Sequence, residues 1–416
     1  MEISTAKTSR IEVVDSLRGF AIMAILLVHN VDHFFFPEFP THSSHWLSVL
    51  DQLTVKFIFT LFSGKTYAIF TMLFGFTFYI QHNNQKKNGN DFGYRFLWRM
   101  LLLAVFAVFN AAFFPAGDVL MLFVYVSLVL FICRNWPDKA VLLLIIILLL
   151  QPVEWIHFVL SRFNPAYQLP DFGAVSLHQQ IIENTKNGSF FDFILLNATL
   201  GQKVSLLWAL GSGRFLQAAG LFLLGFYIGR KQFFVNTPGN LRFWRRVLII
   251  SSLSFILFFI IKKLLLQSDP MTQQTVGIIF DIWYKLALTF VLIASFVLLY
   301  EKRFFRKRVS GLRFYGKMSL TNYVSQSIFG ALIYFPIGLY LAPYCGRTFS
   351  LLIGIAVFSL QMMFSRFWLS KHKQGPLEWI WHKWTWINFS KKAVTNQLSP
   401  DRQSVAPQNK TPETPR

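Results

Sequence analysis

Charged residues are scarce in this sequence of 416 residues, where Asp, Glu, Lys and Arg make up 14% of the chain. An average soluble domain carries about 25%. Cysteine is nearly absent, since Cys133 and Cys345 are the only two, which excludes a disulfide framework and a cysteine-based metal site. The sequence also lacks a phosphate-binding glycine loop, a dinucleotide fingerprint, a G-x-S-x-G turn and any metal-binding motif. The composition likewise excludes a disordered, collagen-like or coiled-coil protein.

Apolar residues fill the chain instead, at 54% of the sequence, with 48 Phe and 12 Trp. They gather in runs close to the ~20 residues that an α-helix needs to cross a bilayer. We therefore predict an all-α, polytopic membrane protein with about ten transmembrane helices. The predicted spans are 17–36, 55–80, 97–115, 118–133, 139–160, 213–229, 247–266, 280–300, 316–341 and 348–369.

The basic residues predict the orientation. If the N-terminus is inside, 30 of the 40 Lys and Arg fall in cytoplasmic segments and eight in outer segments. Short basic loops resist translocation, so this imbalance places both termini in the cytoplasm. Most of the net charge of +21 then comes from cytoplasmic basic residues that face anionic lipid headgroups. We expect membrane lipids as partners, and nucleic acid is not needed to account for the charge.

The composition divides the chain into four parts. Residues 1–16 form a cytoplasmic N-terminus, and 17–370 form the transmembrane domain. Its longest loop, 161–212, is predicted to be extracytoplasmic and helical, because amphipathic pieces alternate with Pro and Gly. Residues 371–396 are rich in Trp and basic residues, as an interfacial segment would be. The polar tail 397–416 is predicted to be disordered.

Polar groups within spans are costly, which makes them candidates for function. The first predicted span holds the largest set. At helical spacing, His29, Asp32 and His33 would share one face, where a carboxylate can orient an imidazole for acid–base chemistry. The alternatives are a hydrogen bond between helices for His29 and solvation at the interface for the other two. The candidates in this span are Asp15, Arg18, His29, Asn30, Asp32 and His33.

Lys65 is the second costly residue, since it lies ~15 Å deep in the second predicted span. It needs a carboxylate, a cage of carbonyl groups or a water-filled cavity. Pairing with Asp118 or Glu154 is one interpretation, and contact with an anionic substrate is the other. Asp281 and Lys285 are four residues apart and can neutralise each other.

Four stretches resemble the YeiB group of membrane proteins, the DUF418 family. The first is the pattern Arg10-x4-Asp15-x2-Arg18-Gly19 before an apolar span. The others are FSGKTYAIFTMLFGF at 62–76, YGKMSLTNYVSQS at 315–327 and GPLEWIWHKWTW at 375–386. The resemblance runs from about residue 10 to 390, and its SLTNY signature adds Asn322 to the candidate substrate-binding residues.

The opening pattern is also similar to two groups of transmembrane acyltransferases. These are the acyltransferase-3 group and the group of heparan-glucosaminide N-acetyltransferase. The former carries an Arg, ten residues and a catalytic His, a spacing matched by Arg18 and His29. The resemblance thus implies an acyltransferase with His29, His33 and Asp32 as catalytic candidates. It implies a substrate-binding set of Arg18, Asp15, Asn30, Lys65 and Asn322.

Our leading hypothesis is acyl transfer from a cytosolic donor to an acceptor outside a bacterial cytoplasmic (inner) membrane. Acyl-CoA is the candidate co-substrate, no cofactor is expected to stay bound, and the acceptor would be a small molecule or a glycan. His29 would act as general base or as transient acyl carrier, with Lys65 or Asn30 stabilising the oxyanion. The alternatives are a transporter of a small anionic solute and a non-catalytic membrane scaffold.

Overall fold

The computed structural model describes residues 11–387, and every regular element in that range is helical. The all-α prediction is therefore confirmed. The predicted disordered tail 397–416 and Arg10 of the opening pattern lie outside the described residues. The helices are α1 (Glu12–Val31), α2 (His45–Leu61), α3 (Lys65–Lys87), α4 (Gly93–Ala112), α5 (Leu120–Val126), α6 (Leu128–Cys133), α7 (Asp138–Leu149), α8 (Pro152–Phe163), α9 (Ala174–Asn187), α10 (Phe190–Leu196), α11 (Gln202–Gly211), α12 (Arg214–Arg230), α13 (Pro238–Leu265), α14 (Pro270–Gln274), α15 (Val276–Tyr300), α16 (Arg303–Arg308), α17 (Ser310–Lys317), α18 (Ser319–Tyr334), α19 (Arg347–Lys371) and α20 (Pro376–Thr385).

The helices are those of a membrane protein, although the number of spans stays a prediction. Each predicted span falls on a helix or on two consecutive helices. By length and composition, six stretches among the described residues can cross a bilayer, or seven if α7 and α8, which meet at 46°, form one span. Helices α12 and α18 have 17 and 16 residues, short of the ~20 that a straight span needs. The six stretches are His45–Lys87, Gly93–Ala112, Phe190–Gly211, Pro238–Leu265, Val276–Tyr300 and Arg347–Lys371.

Two of these stretches differ from the sequence-based prediction. The predicted span 55–80 contains a break between α2 and α3, where Gly64 has a φ of +76° that favours glycine. The predicted outer loop 161–212 contains Phe190–Gly211, in which a π-helical turn joins α10 to α11 and which is long and apolar enough to span. The helical character of that loop is confirmed, and its position outside the membrane stays a prediction.

The centre of the molecule is built around α3, which packs along α12 and also contacts α1 and α15. The α3–α12 crossing is close because each helix presents a glycine. A Cβ atom at Gly75 would collide with the Phe222 carbonyl, and one at Gly225 with the Met72 carbonyl. Only glycine allows two helix backbones to approach this closely, as in many membrane helix pairs. This crossing fixes the faces of α3 that line the cavities described below.

Candidate functional site

A cavity with a basic mouth lies where α1, α3, α4, α18 and α20 meet, and we call it the Arg18 cavity. Arg18 donates hydrogen bonds to Asp15, at 3.2 Å, and to Thr77 Oγ1, at 2.8 Å. Arg99 stacks its guanidinium 3.5 Å from the centre of the Trp381 ring. Lys317 and Lys373 complete four cations on the lining, so the mouth suits an anionic group.

The floor of the Arg18 cavity is aromatic because of the periodicity of α3. Phe70, Phe74 and Phe78 recur at four-residue spacing and therefore lie on one helical face. Phe123 of α5 packs against Phe70 and Phe74, with ring centroids 6.0 and 5.6 Å apart. Tyr323 of α18 stacks on Phe70. A basic mouth above an apolar floor fits a ligand that is anionic at one end and apolar at the other.

Tyr323 lines this cavity, and a second tyrosine, Tyr67, lies near it outside the lining. Tyr67 continues the α3 face one turn beyond Phe70, and it belongs to the same buried cluster as Tyr323 and Ile25. The Tyr67 hydroxyl is buried, with Thr71 and Arg214 as its polar neighbours. The sequence prediction missed both tyrosines, although the spacing of positions 67, 70, 74, 78 and 81 on α3 could have revealed the face.

The cavity is framed by the two stretches that resemble family signatures, SLTNY and GPLEW. Glu378 of α20 accepts hydrogen bonds from the backbone N–H groups of Leu320 and Thr321 at 2.6 and 3.1 Å. Burial raises the pKa of Glu378, and these hydrogen bonds oppose the shift. Burial and the Arg99 charge lower the pKa of His382, also on α20. Glu378 is thus held against α18, where it orders one wall of the cavity.

His29 lies in the last turn of α1 in an aromatic surrounding. Its ring is 4.8 Å from that of Phe114, in an edge-to-face arrangement, and 5.6 Å from those of Phe34 and Phe35. Its Nδ1 atom is buried without a hydrogen-bond partner in residues 11–387. His29 is four residues beyond Ile25, or ~6 Å along the helix. His29 is eleven residues, or ~16 Å, beyond Arg18 along α1, and it lies outside the lining of the Arg18 cavity.

Asp32 and His33 do not share a helical face with His29, so that prediction is wrong. Helix α1 ends at Val31, and His33, Phe34 and Phe35 adopt left-handed backbone angles. Such residues cost ~1–2 kcal/mol each, which surrounding contacts must offset. The fully buried His33 ring supplies such contacts. Its Nδ1 is 2.7 Å from the Glu38 carbonyl and its Nε2 is 2.7 Å from Ser350 Oγ.

Both ring nitrogens of His33 are therefore occupied, which suits a structural role better than acid–base chemistry. Asp32 lies 3.7 Å from Arg347 and lines a second cavity at the C-terminal end of α1. We call this space the Asp32 cavity. Its other polar lining groups are Thr41, Ser43, Ser48, Asp51, Gln52 and Lys56.

Asn30 and Asn322 are buried in hydrogen-bond networks away from the lining of both cavities. Asn30 donates to the Leu26 carbonyl and accepts from the Tyr334 hydroxyl. Asn322 donates to the Tyr315 carbonyl and to Ser365 Oγ. Since their amide donors are engaged, these contacts favour roles in helix packing over substrate binding.

Lys65 is only 2% exposed and begins α3. It makes no ion pair with Asp118 or Glu154, so the predicted pairing is wrong. Its ammonium group donates to the Phe59 carbonyl at 3.2 Å and lies 5.2 Å from the centre of the Tyr284 ring. Asp118 instead accepts hydrogen bonds from the Asn110 side chain and from the backbone N–H groups of Leu120 and Met121.

The predicted pair of Asp281 and Lys285 is confirmed, and Lys262 of α13 joins it as a second partner of the same carboxylate. This group lies close to Lys65, at the end of α3 away from the Arg18 cavity. Within residues 11–387, no group of three or more His, Cys, Asp or Glu is placed to hold a metal ion.

Comparison with known proteins agrees with the family resemblance. Residues 228–388 match the family described as protein of unknown function (DUF418). The chain is 24% identical to YxaH of Bacillus subtilis (strain 168), an alignment that covers 92% of this chain and 96% of YxaH. It is 25% identical to YeiB of Escherichia coli (strain K12), over 89% of this chain and 95% of YeiB.

A 39.9 kDa protein encoded in the amylase 3' region of Bacillus acidopullulyticus is 25% identical, over 92% of this chain and 95% of that protein. No solved structure matches the chain. None of these descriptions states a reaction or a substrate, so they inform the family and not the activity. The motifs, the match of residues 228–388 and the near full-length alignments support a relationship of the chain to the YeiB/DUF418 family of membrane proteins.

Proposed function

We propose that this protein is a transmembrane acyltransferase whose donor, an acyl-CoA, binds in the Arg18 cavity. The observation that carries the proposal is the combination of a basic mouth and an aromatic floor. The CoA phosphates would contact Arg18, Arg99, Lys317 and Lys373, and the pantetheine arm and acyl group would lie along the floor. Cations and guanidinium groups suit phosphates, and the apolar floor excludes water from the thioester.

Helix α1 supports a catalytic position for His29. Along this helix, Arg18 lines the Arg18 cavity, and Ile25 packs in a buried cluster that also contains Tyr67 and Tyr323. His29 follows one turn later, and Asp32 lines the cavity at the other end. The imidazole therefore stands between a cavity suited to the donor and a polar cavity suited to an acceptor hydroxyl or amine. A side-chain rearrangement around Ile25 and Tyr67 would bring the thioester to His29.

In the proposed reaction, His29 removes the proton of the acceptor hydroxyl or amine as that oxygen or nitrogen bonds to the thioester carbonyl carbon. The carbon–sulfur bond then breaks, and the CoA thiolate leaves and takes up the proton from the imidazolium. The products are acylated acceptor and free CoA, and no other reactant is consumed. A donor must also stabilise the developing oxyanion.

We assign oxyanion stabilisation to the Tyr67 hydroxyl in place of Lys65 or Asn30. Asn30 Nδ2 and the Lys65 ammonium already donate to backbone carbonyls. The Tyr67 hydroxyl is buried beside Thr71 and Arg214, and Tyr67 lies near Tyr323 of the cavity lining. A buried hydroxyl beside a guanidinium can donate to the thioester oxygen and stabilise the charge that develops on it.

The proposed setting is a bacterial cytoplasmic membrane, with the Arg18 cavity open to the cytosol and the Asp32 cavity to the outside. This orientation follows the distribution of basic residues. The Asp32 cavity carries hydroxyl, amide and carboxylate groups, which suits a small polar molecule or a glycan as acceptor.

Donor binding tests the first step of this proposal. Purified full-length protein is titrated with a non-hydrolysable acyl-CoA analogue, and the Lys373→Gln variant is compared with Lys371→Gln. Both lysines are exposed, but only Lys373 lines the cavity. Losing one phosphate contact should weaken binding about tenfold, as for ~1.5 kcal/mol of a charge-assisted hydrogen bond. Lys371→Gln should bind like wild type. Equal binding by all three proteins, or none, would remove acyl-CoA from this cavity.

Transport of an amphipathic anion is the second candidate function. It is favoured by the two cavities at opposite ends of α1, one lined by Arg18 and the other by Asp32. In that case the solute crosses unchanged and CoA is never released. Counting free thiol while following label across a proteoliposome membrane separates the two functions.

A further inference from the structure

A third cavity lies at the other end of α3 from the Arg18 cavity, and we call it the Lys262 cavity. Its polar lining includes Arg214, Gln217, Lys262, Asp281 and Lys285. Lys65 lies beside it, since Gly64 is on the lining and a Cβ at Gly64 would touch the Lys285 side chain. None of these residues has a step in the acyl transfer described above.

The cavity gathers more positive charge than its carboxylates can neutralise. Four cations surround it: Lys65, Arg214, Lys262 and Lys285. Asp281 is shared between Lys262 and Lys285. The next carboxylate is Glu154, which lies behind Gly213 and forms no ion pair within residues 11–387. Counting both acids, the site keeps an excess of two positive charges.

Two of the cations have no carboxylate partner in the described part of the chain. Arg214 lies over the rings of Tyr67 and Trp208, at 4.9 and 5.0 Å from their centres. Lys65 has one carbonyl and the Tyr284 ring. Cations held in a membrane domain without a counter-charge are costly, and a bound anion removes that cost.

Helix polarity adds to the same potential. Helices α3 and α12 both begin at this cavity, at Lys65 and Arg214, and each follows a glycine in a left-handed conformation. The N-terminus of a helix carries a partial positive charge, which favours anions.

We infer that the Lys262 cavity binds a phosphoryl group, carried by a lipid headgroup or free in solution. The guanidinium of Arg214 offers a planar pair of donors to phosphate oxygens, and Lys262 and Lys285 supply ammonium groups. Leu265, Leu266 and Ile278 add apolar surface beside these cations, and this surface suits the glycerol and acyl portion of a lipid. The inference does not depend on acyl transfer.

The test has two arms, both with purified full-length protein. In the first, inorganic phosphate is titrated while the apparent melting temperature is recorded. In the second, nanodiscs of phosphatidylcholine with or without phosphatidylglycerol are compared by native mass spectrometry for retained lipid. The variants are Lys262→Gln and Arg214→Gln. The matched control is Lys263→Gln, an exposed neighbour outside the lining.

Wild type and Lys263→Gln should bind in at least one arm, and each cavity variant should bind about tenfold more weakly. Binding only in the lipid arm identifies a headgroup, and binding of free phosphate identifies a solution anion; both results support the site. No binding in either arm, or binding unchanged in Lys262→Gln and Arg214→Gln, would overturn the inference. Lys262→Gln should fold, because Lys285 still neutralises Asp281. The Lys262→Gln variant therefore keeps the test decisive even if Arg214→Gln does not fold.

Discussion

Glu378 and Thr321 are joined by two hydrogen bonds, one from the Thr321 backbone N–H at 3.1 Å and one from its hydroxyl at 2.6 Å. The Thr321 hydroxyl also accepts from the N–H of Leu377, at 3.1 Å. These contacts tie the first turn of α18 to the first turn of α20 across more than 50 residues of sequence. They satisfy backbone donors that a helix leaves free at its start.

This contact predicts a loss of stability in Glu378→Ala. The variant removes the partner of two backbone N–H groups and one hydroxyl, with an expected cost of about 2–3 kcal/mol. Thr321→Val should cost about 1 kcal/mol, and the double variant should cost less than the sum, because both changes break the same contact. Unfolding followed in detergent by intrinsic fluorescence measures this. Strictly additive losses would show that the two residues act independently.

The glycine contact between α3 and α12 predicts that Gly225→Ala is poorly tolerated. The new methyl group would meet the Met72 carbonyl, and backbone atoms cannot give way as a flexible side chain can. We expect a loss of about 1–3 kcal/mol and a lower yield of monodisperse protein. Gly239→Ala is the control, since its nearest atom would be 4.0 Å away. Equal yields and melting temperatures for the two variants would contradict the close crossing.

The cation cluster predicts unequal losses of stability for two substitutions that each remove a charge. Asp281→Asn leaves Lys262 and Lys285 without their shared carboxylate. The loss in free energy of unfolding should be somewhat smaller than the ~3–5 kcal/mol of a broken buried ion pair, because these side chains are partly exposed. Lys65→Met keeps a side chain of similar length and removes a cation near two others, so it should cost under about 1 kcal/mol. Melting curves of the two variants check this, and a larger loss in Lys65→Met would point to a missed carboxylate partner.

The orientation is tested by cysteine labelling in a background without Cys133 and Cys345. Asn187 and Asn236 are both exposed, at the end of α9 and before α13. An impermeant maleimide should label Asn187→Cys in intact cells, and Asn236→Cys only after the membrane is opened. Labelling of Asn236→Cys alone in intact cells would reverse the orientation.

Much of the helical framework was predictable from the sequence because long apolar runs leave few alternatives to membrane helices. The breaks inside those runs were not. Gly64 interrupts the predicted span 55–80, and a glycine within an apolar run does not by itself reveal a left-handed turn. The end of α1 at Val31 was also hidden, because His33, Phe34 and Phe35 leave the helix only through contacts with distant residues such as Ser350.

The roles of the candidate site residues stay predictions. Among them, Arg18 and Asp32 each line a cavity. Asn322 and His33 carry polar groups that could contact a substrate, but these groups form hydrogen bonds with backbone carbonyls inside the protein. Periodicity along one helix cannot show which buried polar group meets a neighbouring helix and which meets a cavity. For the same reason, the sequence could not show that Arg99 and Lys373 line the same cavity, because they come from segments far apart in the chain.

Acyl transfer by the full-length protein tests the central claim most directly. Purified wild type and His29→Asn are incubated with radiolabelled acyl-CoA and a panel of hydroxyl and amine acceptors, and both CoA thiol and acylated product are counted. Asn can hydrogen bond but cannot exchange a proton near neutral pH. Wild type should release CoA in step with product. His29→Asn should bind the donor normally and turn over about 100-fold more slowly or worse. Full transfer by His29→Asn would contradict the role of His29, and no transfer by wild type with any donor would contradict the account itself.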